Sequence, residues 1–495
     1  MHSSLGVKKA PDTLAGELSV SDFSVARPSE RQTAAIRFRR AIVLCEVIAD
    51  LLTITAAVGV GYVIYDKLEL GKHIYYSARA ILALAFVFAI VMVLMLDRVG
   101  AYRRGNSLLR VRETEQVLRV STGAFLMVFA VSFFTNFLFS RWLLILCLIL
   151  VPLLLFLQKN LVYSLIRDLH SRGYGNEKVL IYGSGYTGKR VFSVLRRSPK
   201  LGLEPVVVVD DDAAKAGTVV FETGYERRSS APIAPGPLDR NLISRFGIDL
   251  VIIAIPSIGR EKFVRTIDEA LAANARISFV PSHLLPSDPW VDYRDIDGVL
   301  LASFGRSSRV GYELLKRLCD FAGSLLFMLA GLPIFLLLAL IIRLDSPGPI
   351  WFRQDRVGHN GELFRMYKFR TMYVNAPAYD YSPRTSDDTR ITRVGRFLRR
   401  LSLDELPQLL NVLQGDMSLV GPRPEMPFIA EGYTDRQRQR LHVKPGLTGL
   451  WQLSGDRAFL IHENVEYDLY YIQHRNFFMD LAILLHTSVF AMRGV

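Results

Sequence analysis

The stretch FAGSLLFMLAGLPIFLLLALII, Phe321–Ile342, is apolar from end to end. It is long enough to cross a bilayer, for which about 20 residues suffice. Whether it crosses decides which side of a membrane the last third of the chain occupies. Lys316 and Arg317 precede it and Arg343 follows, so both ends are basic. Gly331 and Pro333 sit near its middle. Proline removes an amide donor and crowds the carbonyl four residues back, which kinks or ends a helix. The tail beyond Arg343 is rich in Arg and Lys, a poor load to translocate, although long domains can cross regardless of charge. The pattern predicts a helix–break–helix over 316–345 that enters the membrane and returns to the same face, with the break at Pro333. A kinked spanning helix is the alternative.

Upstream, four further apolar runs approach spanning length: Ala41–Tyr65, Ala80–Leu96, Gly123–Phe139 and Trp142–Val162. Arg31, Arg37, Arg39 and Arg40 precede the first run, and Arg98, Arg103, Arg104, Arg110, Arg112 and Arg119 lie between the second and third. Lys159, Arg167 and Arg172 close the fourth, whereas the opposite side has only Lys67, Lys72, Arg79 and Arg141. Basic flanks stay on the cytoplasmic side, which predicts a multi-pass membrane protein with its N-terminus and everything after Arg167 in the cytoplasm. Residues 1–40 read as a disordered basic tail and 41–165 as four transmembrane helices. Glu46 and Asp50 fall one turn apart in the first span. Acids inside a membrane invite a functional reading, but these lie near the basic end, and bundle packing near the interface explains them more simply.

Composition agrees. The 495 residues are half hydrophobic, and the net charge is +13. Such a balance suits an anionic partner. No nucleic-acid signature is present, so lipid and phosphate lead. The three cysteines, Cys45, Cys147 and Cys319, lie in apolar stretches without metal spacing and read as small buried hydrophobes.

Between the apolar runs, residues 175–300 alternate strand and helix. KVLIYG, PVVVVD, IDLVIIAIP and RISFVP read as strands; YTGKRVFSVLRR and Glu261–Ala273 read as helices. This predicts a Rossmann-like, doubly wound parallel α/β domain. Its first turn, GSGYTG, places Gly183, Gly185 and Gly188 in G-x-G-x-x-G spacing, and Asp210 ends the second strand. Such glycines let backbone amides approach a pyrophosphate, or serve only the tight turn and close helix packing. No catalytic Tyr/Lys pair follows, so sensing or dimer contact fits better than redox chemistry.

In the last third, RRLSLDELPQLLNVL, Arg399–Leu413, sets Asp404 and Glu405 side by side before Pro407. Leu406, Leu409, Leu410 and Leu413 have helical spacing, so a helix starts near the acids. They could cap it: Asp404 alone, or Ser402 with Glu405 as a capping box. The basic, Pro- and Gly-punctuated neighbours YKFRTM (Lys368, Arg370), RFLRR (Arg396, Arg399, Arg400), GPRP (Arg423) and HVKPGLTGLWQ (Lys444) suit a phosphoryl site instead. There one carboxylate can attack phosphorus, another can hold Mg²⁺, and arginines can neutralise transition-state charge. Two acids at a helix tip are expected to be well ionised. A structural salt-bridge network is the plainer alternative.

LDSPGPIWFRQDRVG, YKFRTM, DDTRITRVGRFLRRLSLDELPQLLNVLQGDMSLVGPRPE and VKPGLTGLWQ together resemble the bacterial polyprenyl-phosphate hexose-1-phosphate transferases, the monotopic phosphoglycosyl transferases. The resemblance covers Val310–Val495, and the four spans plus α/β domain look like the long form of that family. It implies a protein of the bacterial inner membrane, in contact with inner membrane lipids, with a mainly α catalytic domain over 310–495 on the cytoplasmic face and a re-entrant membrane helix. It implies transfer of a hexose 1-phosphate from a UDP-hexose to undecaprenyl phosphate, releasing UMP and initiating exopolysaccharide, capsule or O-antigen synthesis. It makes Asp404 the nucleophile of a covalent phosphosugar intermediate and Glu405 the ligand of Mg²⁺. Lys368, Arg399 and Arg423 fall on the family's phosphate-binding positions; Arg370 is grouped with them, and Asp480 matches a late acid. The family's membrane break is commonly Ser-Pro; here it is Leu332-Pro333.

Basic residues flanking the membrane segment would attract lipid phosphate and anionic head groups. The α/β domain offers a contact for a homodimer. Two rivals stand beside this reading. A membrane-anchored nucleotide-sugar dehydratase or epimerase requires a second glycine fingerprint and a Tyr-x-x-x-Lys helix. A non-catalytic assembly scaffold does not require the Asp404–Glu405 pair.

Overall fold

The computed structural model describes residues 30–70, 77–102, 110–135, 140–197, 201–221, 230–255, 257–280, 291–296, 299–304, 310–377, 388–453 and 465–492. The first four helices are α1 (Glu30–Lys67), α2 (Ala78–Arg98), α3 (Arg110–Thr135) and α4 (Arg141–Ser171). Each contains a stretch long and apolar enough to cross a membrane. A helix satisfies its own backbone polar groups, which lipid cannot do. Ile54, Met92, Ala124 and Leu155, one from each helix, meet in the bundle core. Leu52, Leu94, Phe134 and Leu161 stay exposed on its outside, as lipid-facing side chains do. Asp50 is fully buried, pairs with Lys159 Nζ at 2.6 Å and accepts from the Tyr102 hydroxyl at 2.7 Å. It ties α1 to α4 and to the α2–α3 connection, as bundle packing requires.

The third helix begins well before the expected Gly123. Its basic first turns are amphipathic: Val111, Thr114, Glu115 and Leu118 share one face. That face is covered by the C-terminal unit, so the segment remains helical where its charge suggested a loop.

The α/β unit has β1 (Glu177–Tyr182), α5 (Tyr186–Arg197), β2 (Leu203–Asp210), β3 (Val219–Phe221), β4 (Ser230–Pro235), α6 (Arg240–Phe246), β5 (Leu250–Ile253), α7 (Arg260–Ala272) and β6 (Arg276–Phe279). The sheet order is β3-β4-β2-β1-β5-β6, with only β3 antiparallel to its neighbour. Its central strands β1, β2 and β5 are buried on both faces, which is why they read as unbroken apolar runs. The hairpin β7 (Val291–Ile296) and β8 (Val299–Phe304) follows.

The C-terminal unit starts with α8 (Val310–Asp345). It continues with β9 (Trp351–Val357), β10 (Leu363–Phe369), α9 (Arg393–Arg400), α10 (Gln408–Gln414), β11 (Ser418–Val420), α11 (Pro427–Glu431) and α12 (Asp435–Arg438). It ends with β12 (Gly446–Thr448), α13 (Leu450–Leu453), α14 (Val465–His474) and α15 (Phe477–Met492). It is mainly helical, with an antiparallel β9–β10 hairpin and a parallel β11–β12 pair.

The break expected at Leu332-Pro333 is not present as a gap in the helix: α8 runs through Pro333 without interruption. One missing amide leaves the neighbouring bonds of the ladder in place, so proline need not end the helix. Both ends of α8 nevertheless rest on the same globular unit. Near its start, Arg317 donates to the carbonyls of Val412 and Leu413 at 2.6 and 2.9 Å, and Asp320 accepts from the Leu419 amide at 3.1 Å. Near its end, Leu338 and Ile342 pack with Phe369 and Leu398, and Asp345 accepts from the Val394 amide at 3.2 Å. Its remaining faces, including Leu326, Leu329 and Leu336, are exposed.

Candidate active site

The hairpin delivers Lys368 from the end of β10. The next residues fix its surroundings: Phe369 enters the core with α8, and the Thr371 carbonyl accepts from the Thr392 amide. A side chain at Gly395 would collide with that same carbonyl, so only glycine lets α9 sit this close. The chain leaving α9 then turns through Ser402, whose φ of 55° is left-handed, into a single 3₁₀ turn, Leu403–Glu405. Pro407 follows and α10 begins at Gln408.

Neither acid caps a helix. Ser402 makes no side-chain cap, and Pro407 precedes α10 without one. The capping readings therefore fail, because the 3₁₀ turn swings both carboxylates toward the cations. Glu405 Oε1 accepts from Lys368 Nζ at 2.9 Å and from an Arg423 guanidinium nitrogen at 3.0 Å. Arg423 comes from the loop after β11. Gly421 and Gly446 pack backbone against backbone there, with the Gly446 amide donating to the Pro422 carbonyl at 2.8 Å. Behind the loop, buried Arg440 donates to the Arg423 carbonyl at 3.1 Å and pairs with buried Asp468 at 2.7 Å.

The two acids differ electrostatically. Burial pushes Glu405 up, but Arg423 and Lys368 outweigh it and hold the carboxyl well below the carboxylate range. Burial dominates at Asp404 and raises it, against the pull of Lys368, Arg399 and Arg423 and with the push of Glu405. The surroundings therefore favour the charged form of Glu405, whereas burial disfavours that of Asp404. Among the described residues the Asp404 carboxylate has no hydrogen-bond or ion-pair partner, and it lines a cavity of about 710 Å³. Arg399 lines the same cavity; burial lowers its pKa and Asp404 opposes that.

The cavity gathers Lys368, Arg370, Arg399, Asp404, Glu405 and Arg423. Arg370 is not a free phosphate ligand, however. It is 5% exposed and donates to the Ser346 and Pro347 carbonyls at 2.6 and 2.8 Å, holding the turn that ends α8. Asp480 does not line the cavity. It accepts from Tyr312, Lys316 and Tyr471 at 2.8, 2.9 and 2.7 Å, which fastens α8 to α14 and α15. Sequence reasoning passed over Gln354 and Arg356, which also line the cavity, with Gln354 Oε1 accepting from Arg356 at 2.8 Å. Their alternation along a strand was the available signal.

Among the described residues no group of three or more acid, histidine or cysteine side chains assembles. A hard divalent ion at the dyad would have one or two carboxylates and complete its shell with phosphate and water. Mg²⁺ accepts that set, so the residues fit it.

In the α/β unit Gly183 has a φ of 110°, and the Gly183 carbonyl fills the space a side chain on Gly188 would need. Gly185 faces open space. Asp210 accepts from the Ser184 amide at 2.7 Å and is held at about 2; burial raises it, but its bonds with Ser184 and the Asp212 amide prevail.

Residues 311–494 match the family model described as bacterial sugar transferase, and residues 97–281 match one described as a CoA-binding domain. An undecaprenyl-phosphate galactose phosphotransferase of Salmonella typhimurium is 31% identical over 387 residues, 73% of this chain and 77% of that protein. A UDP-glucose:undecaprenyl-phosphate glucose-1-phosphate transferase of Escherichia coli is 31% identical over 332 residues, 64% of this chain and 68% of that protein. An undecaprenyl-phosphate glucose phosphotransferase of Komagataeibacter xylinus is 37% identical over 258 residues, 48% of either chain.

Proposed function

Because the chain belongs to the polyprenyl-phosphate hexose-1-phosphate transferases, a bacterial sugar transferase family, we propose that it moves a hexose 1-phosphate from a UDP-sugar to undecaprenyl phosphate in two steps at Asp404. In the first, an Asp404 carboxylate oxygen bonds to the phosphorus that carries the sugar. The bond from that phosphorus to the UMP oxygen breaks, and UMP leaves with the electron pair. In the second, a phosphate oxygen of the lipid attacks the same phosphorus, and the carboxylate departs unchanged. The product is undecaprenyl-diphosphate-hexose, which begins a surface polysaccharide.

One observation carries this reading: of two adjacent acids, Glu405 is locked by Lys368 and Arg423 while Asp404 faces the cavity among cations, unbonded among the described residues. A nucleophile must be accessible and only weakly solvated. Arg399, Arg423 and Lys368 are placed to neutralise the equatorial oxygens of the phosphoryl group. Glu405, with Asp404 beside it, would hold Mg²⁺ against the donor diphosphate. When bound, the ion neutralises phosphate charge and lowers the barrier to attack by an anion.

The setting supports a cytoplasmic face. UDP-sugars are cytosolic, basic flanks favour that side, and both ends of α8 meet one globular unit, as a membrane helix that enters and returns would require.

The test is to incubate the purified protein with UDP-[¹⁴C]hexose and no lipid acceptor, quench, and map the label by peptide mass spectrometry. Label on the Asp404 peptide, chased into lipid by undecaprenyl phosphate, is expected. Lipid product formed without any protein-bound label under rapid quench sinks the two-step scheme. Replacing Glu405 by Gln should weaken the response to Mg²⁺; an unaltered metal titration argues against that ligand.

A further inference from the structure

The catalytic cavity has a second kind of wall. Besides its ionic groups it is lined by Trp351, Tyr373 and Val374, which are 38%, 44% and 64% exposed. Large apolar and aromatic groups left this open around a charged site call for an apolar occupant.

Their position identifies which one. Trp351 stacks on Phe369 with ring centroids 5.3 Å apart and 17° between planes, and Phe369 lies 5.9 Å from Phe335 of α8. The cavity wall is thus continuous with the apolar helix. Val374 presses on the turn that ends α8: a Cβ added at Gly348 would lie 2.5 Å from Val374 Cγ2. Arg343 and Arg370 clamp that turn through the Gly348, Ser346 and Pro347 carbonyls. On the last turns of α8, Leu340 and Leu344 remain 57% and 76% exposed. An apolar lip therefore borders the site where the lipid-facing helix meets the globular unit.

We propose that the Trp351–Tyr373–Val374 lip is the seat of the first isoprene units of the prenyl phosphate acceptor, whose phosphate then reaches Arg399 and Asp404 inside. This rests on the function proposed above and adds the path by which its lipid arrives. Charge and polarity both match: an amphiphile with an anionic head and an unsaturated tail meets cations at the floor and aromatic faces at the rim. The donor's sugar and diphosphate are polar and gain little from such a rim; only its base could stack there, which the donor KM reads out.

The experiment uses the full-length protein in nanodiscs, with UDP-hexose and undecaprenyl phosphate varied separately. Trp351→Leu and Val374→Asn are compared with wild type, the second because its exposed position leaves the fold intact. Both should raise the acceptor KM on the order of tenfold and leave the donor KM within about twofold. Unchanged acceptor KM in Val374→Asn and Trp351→Leu overturns the proposal. So does a rise confined to the donor KM, which would mean that Trp351 stacks on the donor base. Wild-type protein that consumes UDP-hexose without labelling the lipid is a separate outcome, and it removes the function on which the lip depends.

Discussion

At the scale of the residue, the site works by making two identical functional groups unequal. Glu405 is stabilised as an anion by two cations, while Asp404 is kept buried without a bond to any described residue. A carboxyl with a lowered folded pKa contributes stability above its unfolded value, about 4.3 for Glu, and loses it as pH falls through the folded value. Asp404 works in the opposite sense: its folded pKa is raised, so ionising it costs stability as pH rises through the ordinary Asp range of about 3.9 and beyond. Replacing Asp404 by Asn should therefore lower turnover by on the order of 10³-fold or more while the Tm at pH 8 stays level or rises. A transfer assay and thermal unfolding on the same preparation check both halves. The acid limb of the wild-type rate profile should lie above the ordinary Asp range, because the proposed nucleophile acts only as the ionised carboxylate. Ser402 is the second residue-scale lever. Its left-handed φ of 55° aims the dyad turn. Ser402→Gly should fold as well as wild type, whereas Ser402→Val should cost about 1–2 kcal/mol and most of the activity. Chemical denaturation and turnover distinguish them.

At the scale of the element, membrane helices are held by polar locks as well as by packing. Asp50 is fully buried and depends on Lys159 across the bundle. Lys159→Met leaves that carboxylate uncompensated and should cost about 3–5 kcal/mol, with most of it regained in Lys159→Met/Asp50→Leu. Unfolding titrations in mixed micelles would show the difference. The helix α8 teaches a related lesson. Proline was expected to break it, but α8 continues through Pro333; an apolar environment favours a helix that keeps every backbone bond it can. Its charged ends, Arg317 and Asp345, are fixed by the globular unit instead.

At the scale of the whole molecule, the N-terminal and C-terminal halves share a core. Val111 and Leu118 of α3 pack with Leu469, Met479 and Ile483, and Thr114 bonds to His486 of α15 at 2.9 Å. The adjacent side of α15 brings Leu484 and Thr487 to the cavity that holds Asp404. Placing a charge at Val111 should loosen the C-terminal unit, not merely the bundle, at a cost of about 2 kcal/mol or more. Limited proteolysis should then cut within 465–492 faster than within the α/β domain. Much of this molecule was written locally. Apolar runs fixed the membrane helices, apolar blocks between glycines fixed the parallel sheet, and the pair Asp404–Glu405 before Pro407 marked the candidate site. Those signals depend on period and composition, which neighbours along the chain carry by themselves. The sequence could not assign partners. Lys368 and Arg423 meet on one oxygen of Glu405, Arg370 turns to the end of α8, and Asp480 fastens α8 to α14 and α15. All five lie in comparably basic or apolar surroundings along the chain. Only packing decided which charge lost its water and which found a counterpart, because burial and distance are properties of the assembled fold and not of any segment.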